Sequence, residues 1–194
     1  MFSSIILCGG KSRRMGRNKA FVEVDGKPMI QRVINTLKQV SKNIVLVVDN
    51  KEKYTQIKGN DYIEIIEDEV KDFGPVEGLY MGLKAVTTQE SFVCACDMPF
   101  ISSVCIEELF KKIVDRNVDC VIPKFKCNSY PLHAFYRKEL TYRLEKAIEN
   151  NQRRLKDFIN SIRAYNVKSF DCGIEDSVLS INSLDDLNKT YLKE

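Results

Sequence analysis

The stretch SSIILCGGKSRRMGRNKA, from Ser3 to Ala20, predicts how the chain is organised. It opens with a short apolar run of the kind that forms a buried strand, and that run ends at the glycine pair Gly9-Gly10. Five cations then follow within nine residues: Lys11, Arg13, Arg14, Arg17 and Lys19. Glycine backbone amides and a ring of cations can surround a polyphosphate. Because open α/β sheets bind ligands at the carboxyl ends of their strands, we expect a phosphate site beyond this first strand.

Two familiar phosphate-binding loops do not fit this stretch. Gly10-Lys11-Ser12 looks like the end of a P-loop, but the earlier glycine of that motif would fall at Ile5, inside the strand. The dinucleotide-binding fingerprint also fails, because Lys11 stands in the place of its second glycine. A tight basic turn without function is the alternative, and it leaves the coincidence of glycines and cations unexplained.

Strand-like and helix-like segments alternate along the rest of the chain. Further strands are predicted at Phe21–Val24, Asn43–Val48, Ile63–Ile66, Phe92–Ala95, Asp119–Ile122, Leu132–Tyr136 and Ala164–Val167. Helices are predicted to begin at Pro28 and Pro75, to carry Ile106–Ile113, to span 138–149 and 154–162, and to follow a capping box of Ser183 with Asp186. This order predicts an α/β, three-layer, Rossmann-like fold with a mostly parallel sheet and helices on both faces.

The composition excludes several classes of protein. The chain has 194 residues, 44% hydrophobic and 29% charged, which is ordinary for a single domain over 1–194. A net charge of +3 gives no field that favours nucleic acid or a membrane surface. The N-terminus has no leader pattern and no apolar run is long enough to span a membrane. Seven irregularly placed cysteines then indicate reduced thiols in a cytoplasmic protein.

A single histidine, His133, limits the catalytic chemistry. A zinc site is disfavoured because the single residue between Cys94 and Cys96 does not match the spacing of zinc ligands, and no second cysteine pair has that spacing. A Ser–His or Cys–His system would need His133 as its base, and nothing around it marks that role, so we expect it to be structural.

Asp97 is the strongest candidate for a catalytic role. It follows the predicted Phe92–Ala95 strand, and Pro99 prevents that strand from continuing. A carboxylate at this position can hold Mg²⁺, which favours one or two carboxylates together with phosphate oxygens and water. The alternative is that Asp97 caps the following helix, but Ser102 or Ser103 is better placed to do so.

At this point the sequence resembles a known family, the small nucleotidyltransferases of molybdenum cofactor biosynthesis and in particular the molybdenum cofactor guanylyltransferases. The resemblance covers nearly the whole chain. Beyond LCGGKSRRMGRNKA (Leu7–Ala20) it is carried in order by IIED (Ile65–Asp68), FGPVEGL (Phe73–Leu79), CDMPFI (Cys96–Ile101), YPLHAFY (Tyr130–Tyr136), QRRLKDFI (Gln152–Ile159) and SINSLDDL (Ser180–Leu187). The first motif and the Cys-Asp-x-Pro element are the specific ones.

The resemblance implies a fold of the nucleotide-diphospho-sugar transferase type, and it also implies a nucleotidyl-transfer reaction. GMP would pass from GTP to the terminal phosphate of molybdopterin, the acceptor, and pyrophosphate would leave. A nucleotide-binding half of about 1–100 and an acceptor-binding half of about 101–194 are expected. Proteins that deliver the cofactor or mature molybdoenzymes are possible partners; nucleic acid and membrane are not expected.

The resemblance also assigns roles to residues. Asp97 is implied as the Mg²⁺ ligand and Lys19 as a phosphate contact. Arg13, another cation of the same loop, is expected to aid catalysis, but the resemblance gives it no role of its own. The nucleotide is expected to contact Leu7, Cys8, Gly9, Gly10, Lys19, Asp68 and Asp97. By the resemblance, the acceptor is expected to contact Asn182. Arg153 and Arg154 are candidates for contact with its phosphate, and a solvated surface is the equal alternative for this cluster.

Guanine is favoured over cytosine because Cys8 is followed by two glycines, whereas the related cytidylyltransferases carry an alanine before a single glycine. The chain departs from the usual pattern at Cys8 (for alanine), Asn18 (for aspartate), Glu77 (for alanine) and Ser180 (for asparagine). Two alternatives stay open. One is an enzyme of the same fold that uses CTP or another phosphorylated acceptor, and the other is a non-catalytic GTP-binding carrier.

Overall fold

A computed structural model describes residues 1–9, 18–57, 61–68, 73–168, 174–183 and 186 of the chain. The strands are β1 (Ser3–Cys8), β2 (Glu23–Val24), β3 (Lys27–Pro28), β4 (Ile44–Val48), β5 (Ile63–Glu67), β6 (Glu90–Ala95), β7 (Cys120–Phe125), β8 (Asn128–Ser129), β9 (His133–Arg137) and β10 (Ala164–Val167). The α-helices are α1 (Met29–Leu37), α2 (Pro75–Ala85), α3 (Ser103–Val114), α4 (Thr141–Glu149), α5 (Leu155–Asn160) and α6 (Ile174–Ser177). Short 3-10 helices span Lys19–Phe21, Lys51–Ile57 and Lys138–Leu140.

The main sheet has the strand order β10-β7-β9-β6-β1-β4-β5. β1 runs parallel to both of its neighbours, and β4 with β5 and β7 with β10 are parallel pairs too. β9 is antiparallel to β6 and to β7, and β8 forms a hairpin with β7. The parallel strands therefore all end at one side of the sheet, called the carboxyl edge below, and all begin at the other, the amino edge.

Helices cover both faces of the sheet because alternate strand residues point to opposite sides. On β1, Ile6 packs in a cluster with apolar side chains of α1 and α3. Its neighbour Ile5 packs in a second cluster with α2, α4 and α5. The three layers and the mostly parallel sheet confirm the predicted fold class.

Close contact between α2 and β1 depends on small residues. A Cβ atom on Gly82 would lie only 2.4 Å from Cγ2 of Ile5, and one on Gly78 would lie 3.3 Å from Cδ2 of Leu7. Gly74, just before the helix, has a φ of +104°, which favours glycine. These glycines let α2 begin directly beside the end of β1.

The predicted elements are largely confirmed, with several corrections. Pro28 precedes α1 instead of opening it, since it pairs with Glu23 across the β2–β3 hairpin. The predicted strand at Phe21–Val24 is shorter, because residues 19–21 form a 3-10 turn. The predicted 138–149 helix begins as a 3-10 turn before α4, and α5 is shorter than 154–162. The β8 strand and α6 had no clear sequence signal.

The cysteines also require one correction. Cys8, Cys94, Cys96, Cys120 and Cys127 are free thiols, as expected. Cys105, at the start of α3, is disulfide-bonded, so the prediction of reduced thiols is wrong for this residue. Within the described ranges, none of the helices is both long and apolar enough to cross a bilayer.

Candidate active site

Several candidate residues lie together at the carboxyl edge because the strands that carry them are parallel neighbours. β1 ends at Cys8 and continues into Gly9, β5 is followed by Asp68, and β6 is followed by Cys96 and Asp97. The Cys96 amide donates to the Leu7 carbonyl oxygen at 3.1 Å, so the ends of β1 and β6 stay in register. The predicted position of Asp97 beyond a buried strand is thus confirmed.

Lys19 and Asp97 form an ion pair across this edge, although they are distant in sequence. Their side chains are 16% and 18% exposed, so solvent and a ligand can still reach them. The Lys19 Nζ atom also donates to Oδ1 of Asn182 at 2.7 Å. The structure therefore brings together three residues that were predicted from separate motifs.

The segment around Asn182 is held in place by its neighbour Ile181. The Ile181 amide donates to the carbonyl oxygen of Asp97 at 2.9 Å. The Ile181 side chain is fully buried in a cluster with Val22, Val24 and Met29. The distant C-terminal segment is thereby anchored beside Asp97, an arrangement that no local sequence pattern reveals.

Asp68 lies over the end of β1. A Cβ atom on Gly9 would lie 3.4 Å from Oδ2 of Asp68, so Gly9 leaves room for the carboxylate. Burial, together with the negative charges of Glu77, Asp49 and Glu67, raises the pKa of Asp68 to about 6. Its buried Oδ1 atom has no hydrogen-bond partner among the described residues. A ligand that donates a hydrogen bond would satisfy this oxygen.

Tyr54 is a site neighbour that sequence reasoning missed. Its hydroxyl donates to the Cys8 carbonyl oxygen at 3.2 Å, and its ring packs on Phe21 at 5.4 Å between centroids. Burial raises the pKa of Tyr54 well above its usual value, and the nearby Asn18 side chain opposes that rise. Tyr54 thus contacts residues on both sides of the predicted phosphate loop, at Cys8 before it and at Phe21 after it.

Other predicted residues lie elsewhere or cannot be placed. Gly10 and Arg13, with the other loop cations before Asn18, fall outside the described residues. Arg153 is beside the start of α2: its guanidinium lies 5.1 Å from the ring centroid of Phe73, and its carbonyl oxygen is 3.4 Å from the Cβ position of Gly74. Arg154 is the exposed residue just before α5. The Nε atom of Arg153 also donates to Oδ1 of Asn151 at 2.8 Å, and the acceptor role of Arg153 stays a prediction.

His133 is fully buried at the start of β9, as expected of a structural residue. Its Nε2 atom lies 3.2 Å from Oγ of Ser177, and its ring packs edge-on against Phe92. Burial lowers the pKa of His133 to about 3, so the ring is neutral at physiological pH.

Comparison with known proteins now decides the family. A family model described as the MobA-like NTP transferase domain matches residues 4–166. This chain belongs to the MobA-like NTP transferase family.

Individual MobA-like NTP transferases match over most of their length. A protein of Methanosarcina mazei named "Probable molybdenum cofactor guanylyltransferase" is 32% identical, and the alignment covers 95% of this chain and 88% of that protein. The molybdenum cofactor guanylyltransferase of Desulfosudis oleivorans is also 32% identical, over 83% of this chain and 78% of its own. A crystal structure of molybdopterin-guanine dinucleotide biosynthesis protein A from Archaeoglobus fulgidus superposes with a TM-score of 0.83 at 26% identity and covers 100% of both chains.

The donor groups of this MobA-like NTP transferase fit a metal that arrives with its substrate. Nucleotidyltransferases of this kind generally use a divalent metal. In the part of the chain that the structure describes, no group of three or more His, Cys, Asp or Glu side chains could hold an ion alone. One partly exposed carboxylate, Asp97, next to a cation suits an ion that takes its remaining ligands from phosphate and water.

Proposed function

We propose that this protein transfers GMP from GTP to the terminal phosphate of molybdopterin and releases pyrophosphate. The observation that carries the proposal is the contact of Lys19 with both Asp97 and Asn182 at the carboxyl edge. Family membership and relatives named as molybdenum cofactor guanylyltransferases support the choice of substrates. The chain would act as one nucleotidyltransferase domain in the cytoplasm, where GTP is available.

The nucleoside of GTP would bind over the end of β1. Backbone groups of Leu7, Cys8 and Gly9 would line it, and the glycine would let it approach the strand closely. The free Oδ1 atom of Asp68 would accept a hydrogen bond from a hydroxyl or N–H group of the nucleoside. Guanine offers adjacent N–H donors, which suits a carboxylate with two oxygen acceptors.

The triphosphate would then displace the Lys19–Asp97 ion pair. A Mg²⁺ ion held by Asp97 would screen the charges of the phosphates as it binds. Lys19, freed from Asp97, would donate to a phosphate oxygen as a point charge. Asn182 keeps Lys19 from leaving the site while it changes partner, since its Oδ1 already accepts from Nζ.

The reaction itself needs no protein nucleophile. An oxygen of the acceptor's terminal phosphate attacks the α-phosphorus of GTP, and the bond from that phosphorus to the oxygen bridging to the β-phosphate breaks. The electron pair leaves with pyrophosphate, and the new P–O–P linkage joins GMP to the acceptor. Catalysis then comes from holding the two phosphates in line and from stabilising the leaving charge.

The test is turnover with purified protein, Mg²⁺ and molybdopterin, with and without bound molybdenum. GTP, CTP, ATP and UTP are supplied one at a time, and pyrophosphate and the dinucleotide product are both measured. An Asp97→Ala preparation serves as the blank for contaminating transferases. Product formed with GTP alone is the expected result.

The other outcomes correspond to the alternative functions. Product with CTP in place of GTP would identify a cytidylyltransferase and contradict the guanine assignment. GTP binding without pyrophosphate release would identify a carrier. Cofactor-delivery or molybdoenzyme-maturation proteins remain proposed partners, and co-purification with the loaded protein would test them.

A further inference from the structure

Arg32, on α1, contacts two separate segments of the chain with one guanidinium group. Its Nη1 atom donates to the Val24 carbonyl oxygen at 3.3 Å, and its Nε atom donates to the Pro99 carbonyl oxygen at 3.4 Å. Nη1 also pairs with Oδ2 of Asp25 at 3.0 Å, and the guanidinium carbon lies 5.3 Å from the centroid of the Phe100 ring. These contacts connect the β2–β3 hairpin to the turn that follows β6.

The first of these segments leads directly back to Lys19. The Val22 amide donates to the Lys19 carbonyl oxygen at 3.1 Å, which closes a tight turn between the two residues. The Val22 carbonyl oxygen accepts from the Met29 amide at 2.9 Å, and the Val24 side chain is fully buried. Because these bonds and this burial link Lys19 closely to Val24, a shift of the Val24 carbonyl would move the Lys19 backbone as well.

The second segment leads back to Asp97 in the same way. Pro99 is two residues after Asp97, and the Met98 amide between them donates to the Ala95 carbonyl oxygen at 3.4 Å. The Met98 side chain is also buried. Asp97 therefore lies in a short turn, and the Pro99 carbonyl that Arg32 contacts is at the far end of that turn.

A guanidinium group is well suited to this bridging position. It is planar and presents its N–H donors in fixed directions, so it can donate to two carbonyls and a carboxylate while its face lies against an aromatic ring. The ion pair with Asp25 adds little by itself, because the Asp25 side chain is 50% exposed and water screens it. The contacts of Arg32 with the Val24 and Pro99 carbonyls are the ones that connect the two segments.

The spacing of the Lys19 and Asp97 backbones matters because their side chains would have to separate during the proposed reaction. In the structure these two side chains contact each other. A triphosphate with its metal would enter between them, so its fit depends on how far apart the two backbones are held. A displacement of about 1 Å from the productive geometry can cost about a hundredfold in rate.

We propose that Arg32 is a positioning residue that holds the backbones of Lys19 and Asp97 at the separation which the metal-bound triphosphate requires. This inference rests on the proposed function. Arg32 acts through the Val24 and Pro99 carbonyls, without contact to the reacting phosphates or to the metal.

Calorimetric titration with α,β-methylene-GTP tests this role without turnover, because that analogue cannot transfer GMP. Wild-type protein and Arg32→Lys are each titrated in excess Mg²⁺ and again in EDTA. Lysine keeps the charge but replaces the planar fork by a single nitrogen. We expect about tenfold weaker binding in Mg²⁺ and less than about a threefold change in EDTA, since the spacing matters most when a metal joins the phosphates to Asp97.

Turnover and a second variant extend this test. In steady-state assays Arg32→Lys should lower kcat about ten- to a hundredfold. Arg32→Gln loses both the charge and the fork, and it should be impaired at least as strongly. The stoichiometry of each titration gives the folded fraction, so affinity and kcat are expressed per folded molecule and loss of folding cannot imitate the effect.

Arg137→Lys is the matched control, because Arg137 makes the same kind of bridge at the amino edge. Its guanidinium donates to the carbonyl oxygens of Val118 and Ile113 at 2.8 and 2.9 Å. It also pairs with Glu90 at 3.0 Å, and its side chain is 23% exposed, against 25% for Arg32. Arg137→Lys should lower the thermal midpoint as Arg32→Lys does, but it should bind the analogue and turn over like wild type.

Asp25→Asn separates the bridge from the ion pair. It removes the charge next to Arg32 and leaves both carbonyl contacts in place, so it should bind the analogue with wild-type affinity in Mg²⁺. Wild-type affinity and kcat in both Arg32 variants would overturn the inference. Losses in Arg137→Lys or Asp25→Asn as large as those in Arg32→Lys would overturn it too.

Failure of this inference is distinguishable from failure of the proposed function. If wild-type protein makes the dinucleotide but the Arg32 variants keep its kcat and its affinity for the analogue, only the role of Arg32 is wrong. If wild-type protein makes no dinucleotide with GTP, the proposed function is wrong and the role of Arg32 falls with it.

Discussion

Asp97 and Asp119 are two aspartates of the same sheet with opposite surroundings. Asp97 follows β6 at the carboxyl edge, and in the described residues its carboxylate contacts only Lys19. Asp119 precedes β7 at the amino edge, and its carboxylate accepts from Arg163 Nη2 at 2.7 Å, from the Arg163 amide at 2.9 Å and from Arg143 Nη1 at 3.4 Å. A carboxylate with all its acceptor sites used stabilises the fold, whereas one with free acceptor sites at the carboxyl edge can bind a ligand.

Substitution at Asp97 should give the largest change in activity. Asp97→Asn keeps the size of the side chain but removes the charge that would hold the metal, so we expect kcat to fall about a thousandfold. The thermal midpoint should move by no more than ~2 °C, because few contacts are lost. Steady-state kinetics measures kcat, and calorimetry on the same preparation measures the thermal midpoint. Normal kcat in the variant would refute the metal role of Asp97.

Lys19, the partner of Asp97, should matter for activity, whereas Arg163, which pairs with Asp119, should matter for stability. Lys19→Ala should lower kcat/KM for GTP about a hundredfold, since a charged phosphate contact is lost in the transition state. Arg163→Ala removes one of the two arginine side chains that pair with Asp119, and it should leave kcat/KM unchanged while it lowers stability. If Arg163→Ala impaired turnover of folded protein as strongly as Lys19→Ala, the distinction between the two edges would be wrong.

Asp119 itself should matter for folding alone. Burial works to raise the pKa of Asp119, but the hydrogen bonds and charge of Arg163 outweigh it and hold the pKa below its usual value. Its stabilising contribution is therefore present above the pKa of the unfolded chain, about 4, and is lost as the pH falls below that value. Asp119→Ala should cost about 1.5–3 kcal/mol of unfolding free energy at pH 7, as measured by urea titration. Asp115→Ala, at an exposed helix end, is the control and should have little effect.

His133 lies at the carboxyl edge but is fully buried, in contrast to Asp97. The pKa of His133 is lowered to about 3 in the folded chain. Between about pH 6.5 and pH 3, His133 is therefore protonated in the unfolded chain and neutral in the folded chain. Folding should therefore be destabilised as the pH falls through this window, by at most about 1.4 kcal/mol per pH unit.

The measurement is the pH dependence of unfolding free energy in wild type and in His133→Gln. The variant should lose the acid-dependent slope, even though it is less stable at pH 7. Asp68 has a raised pKa and gives a slope of the opposite sign, but it is present in both proteins and cancels in the difference. Parallel pH profiles for the two proteins would show that His133 does not titrate in this way.

The fold and the core of the site were predictable because their signals are local. A strand that ends in Gly9, and one followed by Asp97 and Pro99, can be read from neighbouring residues. The contact of Asn182 with Lys19 was not predicted, because it depends on burial of Ile181 in a cluster formed by distant residues. The antiparallel direction of β9 was not predictable either, since apolar alternation is the same for both strand directions.

Tyr54 had no sequence signal, and it provides the smallest and most specific test. Tyr54→Phe keeps the buried ring and removes the hydroxyl that donates to the Cys8 carbonyl oxygen. If that bond positions the start of the phosphate loop, the KM for GTP should rise about three- to tenfold with kcat unchanged, as expected for one hydrogen bond of about 1 kcal/mol. Tyr62→Phe is the matched control, because its hydroxyl donates to the Ser41 carbonyl oxygen at the amino edge. Both variants should lose similar stability. A rise in KM for GTP in Tyr54→Phe alone would therefore reflect the closeness of the Tyr54 hydroxyl to the site. Equal KM values in the two variants would show that this hydroxyl is only structural.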